Sequence, residues 1–190
     1  MSSSSQVFLQ KESVPSQEAI AAICRKAGYG LRSTLLRDSS HSAIAFVKYG
    51  PMVTLPEART QDWVAKAVND DSRLNLRVLW VYEAFEIPFA GASIGHIIME
   101  CIDAPDCDVN DSGLAANAVQ TLIGLKAEDA VPGPVGGGLI KHSFFPDWSA
   151  NYAYDTAEKL SKHINFVSQY RLLNLFTWLT DMADVENHGE

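Results

Sequence analysis

Two pairs of strand-forming runs are the feature that most restricts how this chain can fold. Residues 31–37 and 43–49 are apolar and partly alternating, and residues 38–41 between them are rich in turn formers. A second pair of runs, with a loop containing Pro88 and Gly91 between its members, is formed by residues 78–85 and 94–102. The first pair predicts a hairpin and the second adds two more strands, so the chain must bury at least one face of a sheet.

Helical patterns surround these strands. The first predicted helix, 16–27, begins at a capping Ser16, and the second, 55–69, lies between the two strand pairs. Beyond the last strand the patterns are helical only, at 111–125 and from Thr156 to about Asp184. Strands in the first half and helices in the second predict an α+β fold, in which an antiparallel sheet packs against one helix and a helical section follows.

The composition excludes several classes of protein. The 190 residues include 15 Lys and Arg against 23 Asp and Glu, which gives a formal net charge of −8. Because nucleic-acid binding depends mainly on clustered Lys and Arg, nucleic acid is not an expected partner. No apolar run approaches the roughly 20 residues of a membrane helix, so a membrane is not an expected partner either.

The compartment and the chance of a metal site can be judged from three kinds of residue. These are the first twelve residues, the cysteines and the histidines. Residues 1–12 are predicted to be a disordered tail, without the basic and apolar regions of a secretion signal. Cys24, Cys101 and Cys107 are odd in number and lack C-x-x-C spacing, which favours neither a disulfide framework nor a zinc ribbon. The five histidines also lack metal-ligand spacing. We therefore expect a cytoplasmic or nuclear protein with no metal site.

Lys48 and Glu57 are the residues whose spacing points most clearly to chemistry. Lys48 ends the predicted strand 43–49, and Glu57 follows nine residues later in the predicted helix 55–69. In protein-kinase-like phosphotransferases, a strand lysine holds the α and β phosphates of a nucleotide and a helix glutamate fixes that lysine by an ion pair. Many strands end in lysine and many helices begin with glutamate without such a role. The spacing predicts an ion pair between the two residues.

Several blocks of sequence, in order, resemble one protein family. The run FVKYGPMVTLPEA is similar to the lysine strand and helix start of the fungal aminoglycoside-phosphotransferase-like family, which is protein-kinase-like. VYEAFEI and GHIIMECIDAPDCDV are similar to its next strand and its hinge strand. The loop PGPVGGGLIKHSFFPDW and the segment EKLSKHINFV resemble a fungal subgroup of that family. The similarity extends from about residue 14 to residue 167.

This resemblance implies a fold and a binding site. It implies a kinase-like N-lobe, one antiparallel sheet plus one helix, over residues 13–104, followed by an incomplete helical C-lobe over 105–190. ATP is the cofactor that the resemblance implies, bound between the two lobes. Lys48 would bind phosphate, Glu57 would orient Lys48, and the backbone of the hinge residues Glu100, Cys101 and Ile102 would bond adenine.

The resemblance also shows which family residues the sequence lacks. Family members continue with a catalytic loop of the H-G-D-x-x-x-x-N kind and then a second metal-binding Asp. The final H-G-E has Glu190 in place of Asp, and the D-W pair at 147–148 precedes the place of that loop. From about residue 168 the sequence diverges from the family. We therefore expect a truncated kinase-like chain with a partial nucleotide cleft, no catalytic residues, no Mg²⁺ site and no phosphotransferase activity. The alternative is an active ATP-dependent phosphotransferase of a small hydroxylated molecule or a protein, when a full-length gene product is considered.

Two further segments leave alternatives open. The serine-rich turn 38–41 contains no glycine, and it either presents backbone N–H groups to phosphate or is a plain hairpin turn. The loop PGPVGGG at 132–138 lacks the G-K-[ST] ending of a P-loop, so a P-loop is not predicted.

The helical part predicts exposed apolar surface. In a complete kinase-like fold the helices at 111–125 and 156–180 would be covered by further helices, and this sequence does not supply them. The Leu- and Trp-rich residues 172–179 either fold back as a substitute cover or leave the surface open. The second outcome predicts self-association or binding of a protein partner.

Overall fold

The computed structural model of the chain describes five stretches of residues, which are 8–9, 11–30, 32–127, 131–145 and 147–169. They fall into two compact units. The first unit takes the described residues up to Ala127 together with Pro134–Gly136, and the second takes 131–133 and the described residues from Gly137 onward. The predicted division into lobes at residue 104 stays a prediction.

The described part of the first unit has the order of elements that the sequence predicts, and the fold is α+β. Its elements are α1 (Gln17–Ala27), β1 (Ser33–Arg37), β2 (Ala43–Gly50), α2 (Leu55–Asn69), β3 (Val81–Phe89), β4 (Ala92–Met99) and α3 (Ser112–Gly124). A 3₁₀ turn at Val109–Asp111 precedes α3. In the second unit residues 157–169 are helical and are named α4 here. The rest of the predicted helix to about 184 lies outside the described residues, as does the Leu- and Trp-rich segment 172–179.

The four strands form one antiparallel sheet in the order β1-β2-β4-β3. The two chain-adjacent hairpins, β1 with β2 and β3 with β4, are joined because β2 pairs with β4. In that pairing Lys48 lies opposite Ile97, and Phe46 lies opposite Met99. The strand with the candidate lysine and the strand that leads to the candidate hinge are therefore neighbours.

Capping residues define where the two helices that pack on the sheet begin. The Ser16 hydroxyl accepts a hydrogen bond from the backbone N–H of Ala19 at the start of α1, and Gly28 ends that helix with a φ of 88°. The Thr54 hydroxyl accepts from the backbone N–H of Glu57 at 3.3 Å, and α2 begins there. Both helices occupy the predicted residues to within one position.

Each face of the sheet is covered by one helix. Alternation along the strands sends one set of side chains toward α1, and these form a buried cluster of Ile20, Ala21, Cys24, Leu36, Ala45, Val47, Tyr49, Phe85 and Ile98. The other face packs against α2 through a smaller cluster of Val53, Ala58, Val81, Ile97 and Met99. The prediction of a single helix against the sheet is therefore wrong, because the apolar side of α1 covers the second face.

The strand predicted at 78–85 begins later than expected, at Val81. The reason is a side chain: the Asn69 amide donates to the carbonyl of Val78 at 2.8 Å, and the Asn69 carbonyl oxygen accepts from the N–H of Val78 at 2.9 Å. Both backbone groups of Val78 are therefore bonded to the end of α2 instead of to a strand.

The same strand also continues further than expected. The sequence predicts a loop at Pro88, but Pro88 lies in β3 and pairs with Ser93 of β4. Because β3 is an edge strand, a proline there removes no hydrogen bond that a second neighbour needs. Ala90 and Gly91, with φ of 48° and 81°, form the two-residue turn that follows. β4 then ends at Met99, so the predicted strand residues 100–102 lie beyond the sheet.

The second unit has a small aromatic core. Phe145, Ala150 and Tyr154 are buried there, and the partly buried Ile140, Phe144 and Leu160 pack against them. Trp148 does not belong to this core, because it is 55% exposed and has a φ of 58°. The Asp147-Trp148 pair thus belongs to a surface loop of this unit.

Two residues of the predicted disordered tail, Phe8 and Lys11, contact the rest of the first unit. Of the predicted tail 1–12, Phe8 packs against the cluster beneath α2, and Lys11 donates to the carbonyl of Ile44 at 2.8 Å. The tail residues 1–7 and 10 lie outside the described residues. Among the residues that the structure describes, none of the helices has the length and apolar content needed to cross a bilayer.

Candidate functional site

The predicted ion pair between Lys48 and Glu57 is confirmed. The Lys48 ammonium on β2 donates to Oε1 of Glu57 in the first turn of α2. The Gln61 amide, one turn further along α2, donates to the same oxygen at 3.4 Å. The side chains of Lys48 and Glu57 are 42% and 29% exposed, so water and small solutes reach both charges.

Strand alternation determines what lies beside this pair. Phe46 is two residues before Lys48 on β2, so both side chains project from the face that α2 partly covers. Leu35 on β1 is paired with Phe46, and it therefore projects from the same face. Leu35 is 38% exposed, so α2 leaves this end of the sheet uncovered.

A cleft of about 690 Å³ opens over this uncovered end of the sheet. It is lined by Leu35, Arg37, Ser42, Ala43, Phe46, Leu79, Glu100, Cys101, Ile102 and Asp103. Apolar side chains from the strands form part of the lining, and the segment after β4 forms another part. Clefts of this size and mixed lining are typical of sites for small organic ligands.

The structure brings the three predicted hinge residues together in this cleft. Lys48 and Glu57 are not among its lining residues, although Lys48 shares a strand face with Phe46. The candidate residues thus form two groups on the same sheet face, which are the mixed cleft with residues 100–102 and the charged pair Lys48–Glu57. Leu35, Phe46 and Leu79 also line the cleft, and they are not among the residues predicted for the site. The two-residue spacing between Phe46 and Lys48 is the signal from which Phe46 could have been found.

Glu100 is held by protein contacts more than the other hinge residues are. Its carboxylate pairs with the guanidinium of Arg77 at 2.5 Å, and its backbone N–H donates to the carbonyl of Trp80 at 2.8 Å. These contacts hold the beginning of the candidate hinge segment 100–102 in place. In contrast, the backbone groups of Cys101 and Ile102 have no hydrogen-bond partner among the described residues. They are free to bond the edge of a planar ligand.

The serine-rich turn between β1 and β2 does not offer its N–H groups outward. The Asp38 carboxylate accepts from the N–H of Ser40 at 2.8 Å, from the N–H of Ser42 at 3.0 Å and from the Ser40 hydroxyl. These hydrogen bonds lower the pKa of Asp38, so the turn carries a negative charge at neutral pH. Phosphate binding is disfavoured here, because the N–H groups of Ser40 and Ser42 already donate to Asp38 and its negative charge repels an anion. The structure thus favours the plain hairpin turn.

Metal-binding geometry is not found in the described residues. No group of three or more His, Cys, Asp or Glu side chains in the described stretches could hold a metal ion. His188 and Glu190 lie outside those stretches.

Known proteins provide no further information about this site. The chain matches no protein-family model, no curated protein and no solved structure at a significant level.

Proposed function

We propose that this chain is a nucleotide-binding module of the protein-kinase-like type, related to the aminoglycoside phosphotransferases, which does not transfer phosphate by itself. The observation that carries the proposal is the Lys48–Glu57 ion pair between β2 and α2, on the same sheet face as a cleft that ends at residues 100–102. A strand lysine fixed by a helix glutamate beside a hinge is the arrangement that kinase-like enzymes use for ATP.

The chemistry of the cleft suits a purine base. Leu35 and Phe46 offer apolar surface to a flat ring, while the free backbone groups of Cys101 and Ile102 can pair with its polar edge. The phosphates of such a ligand are anionic, and Lys48 is a partly exposed cation on the same sheet face. Glu57 limits the positions that the Lys48 ammonium takes up, which lowers the entropic cost of binding phosphate.

Phosphoryl transfer needs more than this site. It requires a positioned base and metal ligands that neutralise the charge on the transferred group. The H-G-D-x-x-x-x-N motif does not occur in the sequence. We therefore expect nucleotide to bind weakly and without turnover, and an active phosphotransferase remains the competing proposal.

Binding is tested by titrating the purified chain with ATP in the absence and presence of Mg²⁺, using calorimetry. We expect saturable binding, weakened at least tenfold by Lys48→Ala, because a charge-assisted contact contributes about 1.5–3 kcal/mol. Lys159→Ala is the matched control, since Lys159 also pairs with a carboxylate, Asp155, but on the exposed surface of the second unit. Absence of saturable binding, or equal binding by Lys48→Ala, contradicts the proposal.

Cys101 offers a second readout of where the ligand lies. Cys101 lines the cleft, whereas Cys107 is exposed outside it. ATP should slow alkylation of Cys101 while leaving Cys107 unaffected. Equal protection of both thiols, or of neither at a saturating ATP concentration, would place the nucleotide elsewhere.

Turnover is tested separately. The chain is incubated with labelled ATP, Mg²⁺ and a panel of aminoglycosides and protein substrates, and transfer to any acceptor is measured. We expect none above a protein-free blank. Transfer that disappears in Lys48→Ala would establish the active phosphotransferase instead.

A second candidate function is protein–protein interaction through α3. This helix has no charged residue and no buried residue, and Leu114 and Ile123 are 68% and 78% exposed. Val119 and Leu122 are exposed as well. Exposed apolar surface of this kind is typical of sites where another protein binds. We propose that α3 mediates self-association or binds a partner protein.

This second proposal is tested by light scattering and hydrophobic-dye binding over a range of chain concentrations. Leu114→Gln with Ile123→Gln should reduce both association and dye fluorescence. Asn117→Gln, at an exposed polar residue of α3, is the control and should change neither. A monodisperse monomer that binds no dye would rule out the interaction surface.

A further inference from the structure

One residue of the glycine-rich loop, Val135, is hydrogen-bonded to the first half of α2. The N–H of Val135 donates to the hydroxyl of Thr60 at 2.9 Å, and Nε of Arg59 donates to the carbonyl of Val135 at 3.2 Å. The Thr60 hydroxyl in turn donates to the carbonyl of Pro56 at 3.0 Å. One backbone unit of the loop is therefore held by two adjacent side chains of the helix that carries Glu57.

The buried apolar contact of this half of α2 is small. Ala58 is buried there, whereas the larger buried Val68 lies near the other end of the helix. At the far end Asn69 fixes α2 through its two hydrogen bonds to Val78. Thr60 lies about 200° around the helix from Ala58, so the loop bonds α2 from the side opposite the sheet.

Gly136 is required for this contact. Its φ is 76°, and a Cβ at this position would lie 2.9 Å from Nε of Arg59. That contact would displace the guanidinium from the carbonyl of Val135, since Nε is the atom that donates to it. Alanine at 136 would therefore both strain the backbone and break one of the two bonds.

We infer that the loop Pro134–Gly136 positions Glu57 against Lys48, with Thr60 and Arg59 as positioning residues. The inference deepens the proposed nucleotide site and rests on it for its functional meaning, because Lys48 is the phosphate ligand there. Loss of the loop contact lets the first turns of α2 rotate or shift, and Glu57 then pairs with Lys48 for a smaller fraction of the time.

The experiment measures the state of Lys48 without any nucleotide. The purified chain is acetylated with a limiting amount of an amine-reactive ester, and the modification of each lysine is followed by mass spectrometry. Thr60→Val and Gly136→Ala should raise the modification of Lys48 about fivefold, the shift that loss of one net hydrogen bond produces, toward the level in Glu57→Gln. Thr60→Ser keeps the hydroxyl and should restore the wild-type value.

Internal references separate this effect from unfolding. Lys66 pairs with Asp62 in the second half of α2 and should keep its wild-type rate. Thr121→Val removes a hydroxyl with the same kind of bond, to the carbonyl of Asn117, and should leave Lys48 unchanged. An unchanged Lys48 rate in Thr60→Val and Gly136→Ala, or an equal rise at Lys66, overturns the inference. Because no nucleotide is present, failure of ATP binding leaves this result intact.

Discussion

His96 on β4 stacks against Phe85 on β3, with ring centres 4.6 Å apart and ring planes 9° from parallel. Tyr49 on β2 lies on the other side of the imidazole, with its centre at 6.1 Å. Three neighbouring strands thus contribute one row of stacked rings beneath α1, and His96 is 1% exposed within it. Neither ring nitrogen makes a hydrogen bond of normal geometry, so a proton on this imidazole would be a buried and unpaired charge.

This row predicts that the protein loses stability in mild acid. Burial lowers the pKa of His96, with a weaker opposing contribution from the backbone of Ile94. Below about pH 6.5 the unfolded chain takes up a proton that the folded chain excludes, so the free energy of unfolding falls as the pH decreases toward the folded-state pKa. Denaturant titrations between about pH 7.5 and about pH 5.5 measure this slope. His96→Phe keeps the stack and should flatten it.

His41 provides the control for this measurement. It is exposed in the turn after β1 with a φ of 65°, a conformation that asparagine tolerates well. His41→Asn should therefore leave the slope unchanged. An unaltered slope in His96→Phe would assign the acid sensitivity to other groups.

A substitution of one methyl group at Gly95 should lower the free energy of unfolding strongly. A Cβ at position 95 would lie 2.1 Å from the backbone carbonyl oxygen of Val53, a group that cannot move without displacing the chain that leads into α2. Gly95→Ala should reduce the free energy of unfolding by about 3 kcal/mol. Gly113→Ala in α3 meets no atom within 4 Å and should stabilise the helix by about 0.5–1 kcal/mol. Urea denaturation of both variants gives the comparison, and equal stabilities would show that the Val53 segment yields easily.

The side chain of Asn69 should contribute measurably to the free energy of unfolding. Asn69→Ala removes both hydrogen bonds to the backbone of Val78 and leaves that backbone partly buried, so we expect a loss of about 1–3 kcal/mol by urea denaturation. Asn117→Ala is the matched change on the exposed side of α3 and should be neutral or slightly stabilising. A loss in Asn69→Ala no greater than in Asn117→Ala would mean that water replaces the clamp fully.

The three cysteines should differ in reactivity in the folded protein. Burial raises the pKa of the Cys24 thiol to about 11, and the residue is inaccessible under the sheet. Cys107 is exposed and Cys101 is intermediate. A disulfide reagent at neutral pH should therefore modify Cys107 first, Cys101 next, and Cys24 only when denaturant is added. Rapid modification of Cys24 without denaturant would indicate frequent opening between α1 and the sheet.

Local signals were sufficient to predict most helices and the confirmed ion pair. Ser16 marks the start of α1, and the predicted bounds of α1 and α2 agree with the structure to within one residue. Strand alternation and helix phase then bring Lys48 and Glu57 together, as their spacing predicts. Such features depend on residues close in sequence, and so they can be predicted from a single chain.

Features that depend on tertiary contacts were missed. The carboxamide of Asn69 makes hydrogen bonds with both backbone groups of Val78, so β3 begins only at Val81. Val78 itself has a high strand propensity. Pro88 stays in a strand because β3 happens to be at the edge of the sheet. The cleft residues Leu35 and Leu79 come from segments far apart in the chain, and no periodicity within either segment indicates that they meet.

The strand order also has a consequence for how the chain folds. Each hairpin closes through contacts between residues that are near in sequence, whereas the pairing of β2 with β4 must wait until α2 and β3 have brought distant segments together. The entropic cost of closing a long loop therefore falls on the β2–β4 pairing, and we expect this pairing to form after the two hairpins. Lys48 and Phe46 belong to that pairing, opposite Ile97 and Met99. The cleft takes its lining from the first hairpin and from the segment after β4, so it is complete only when the two hairpins have joined.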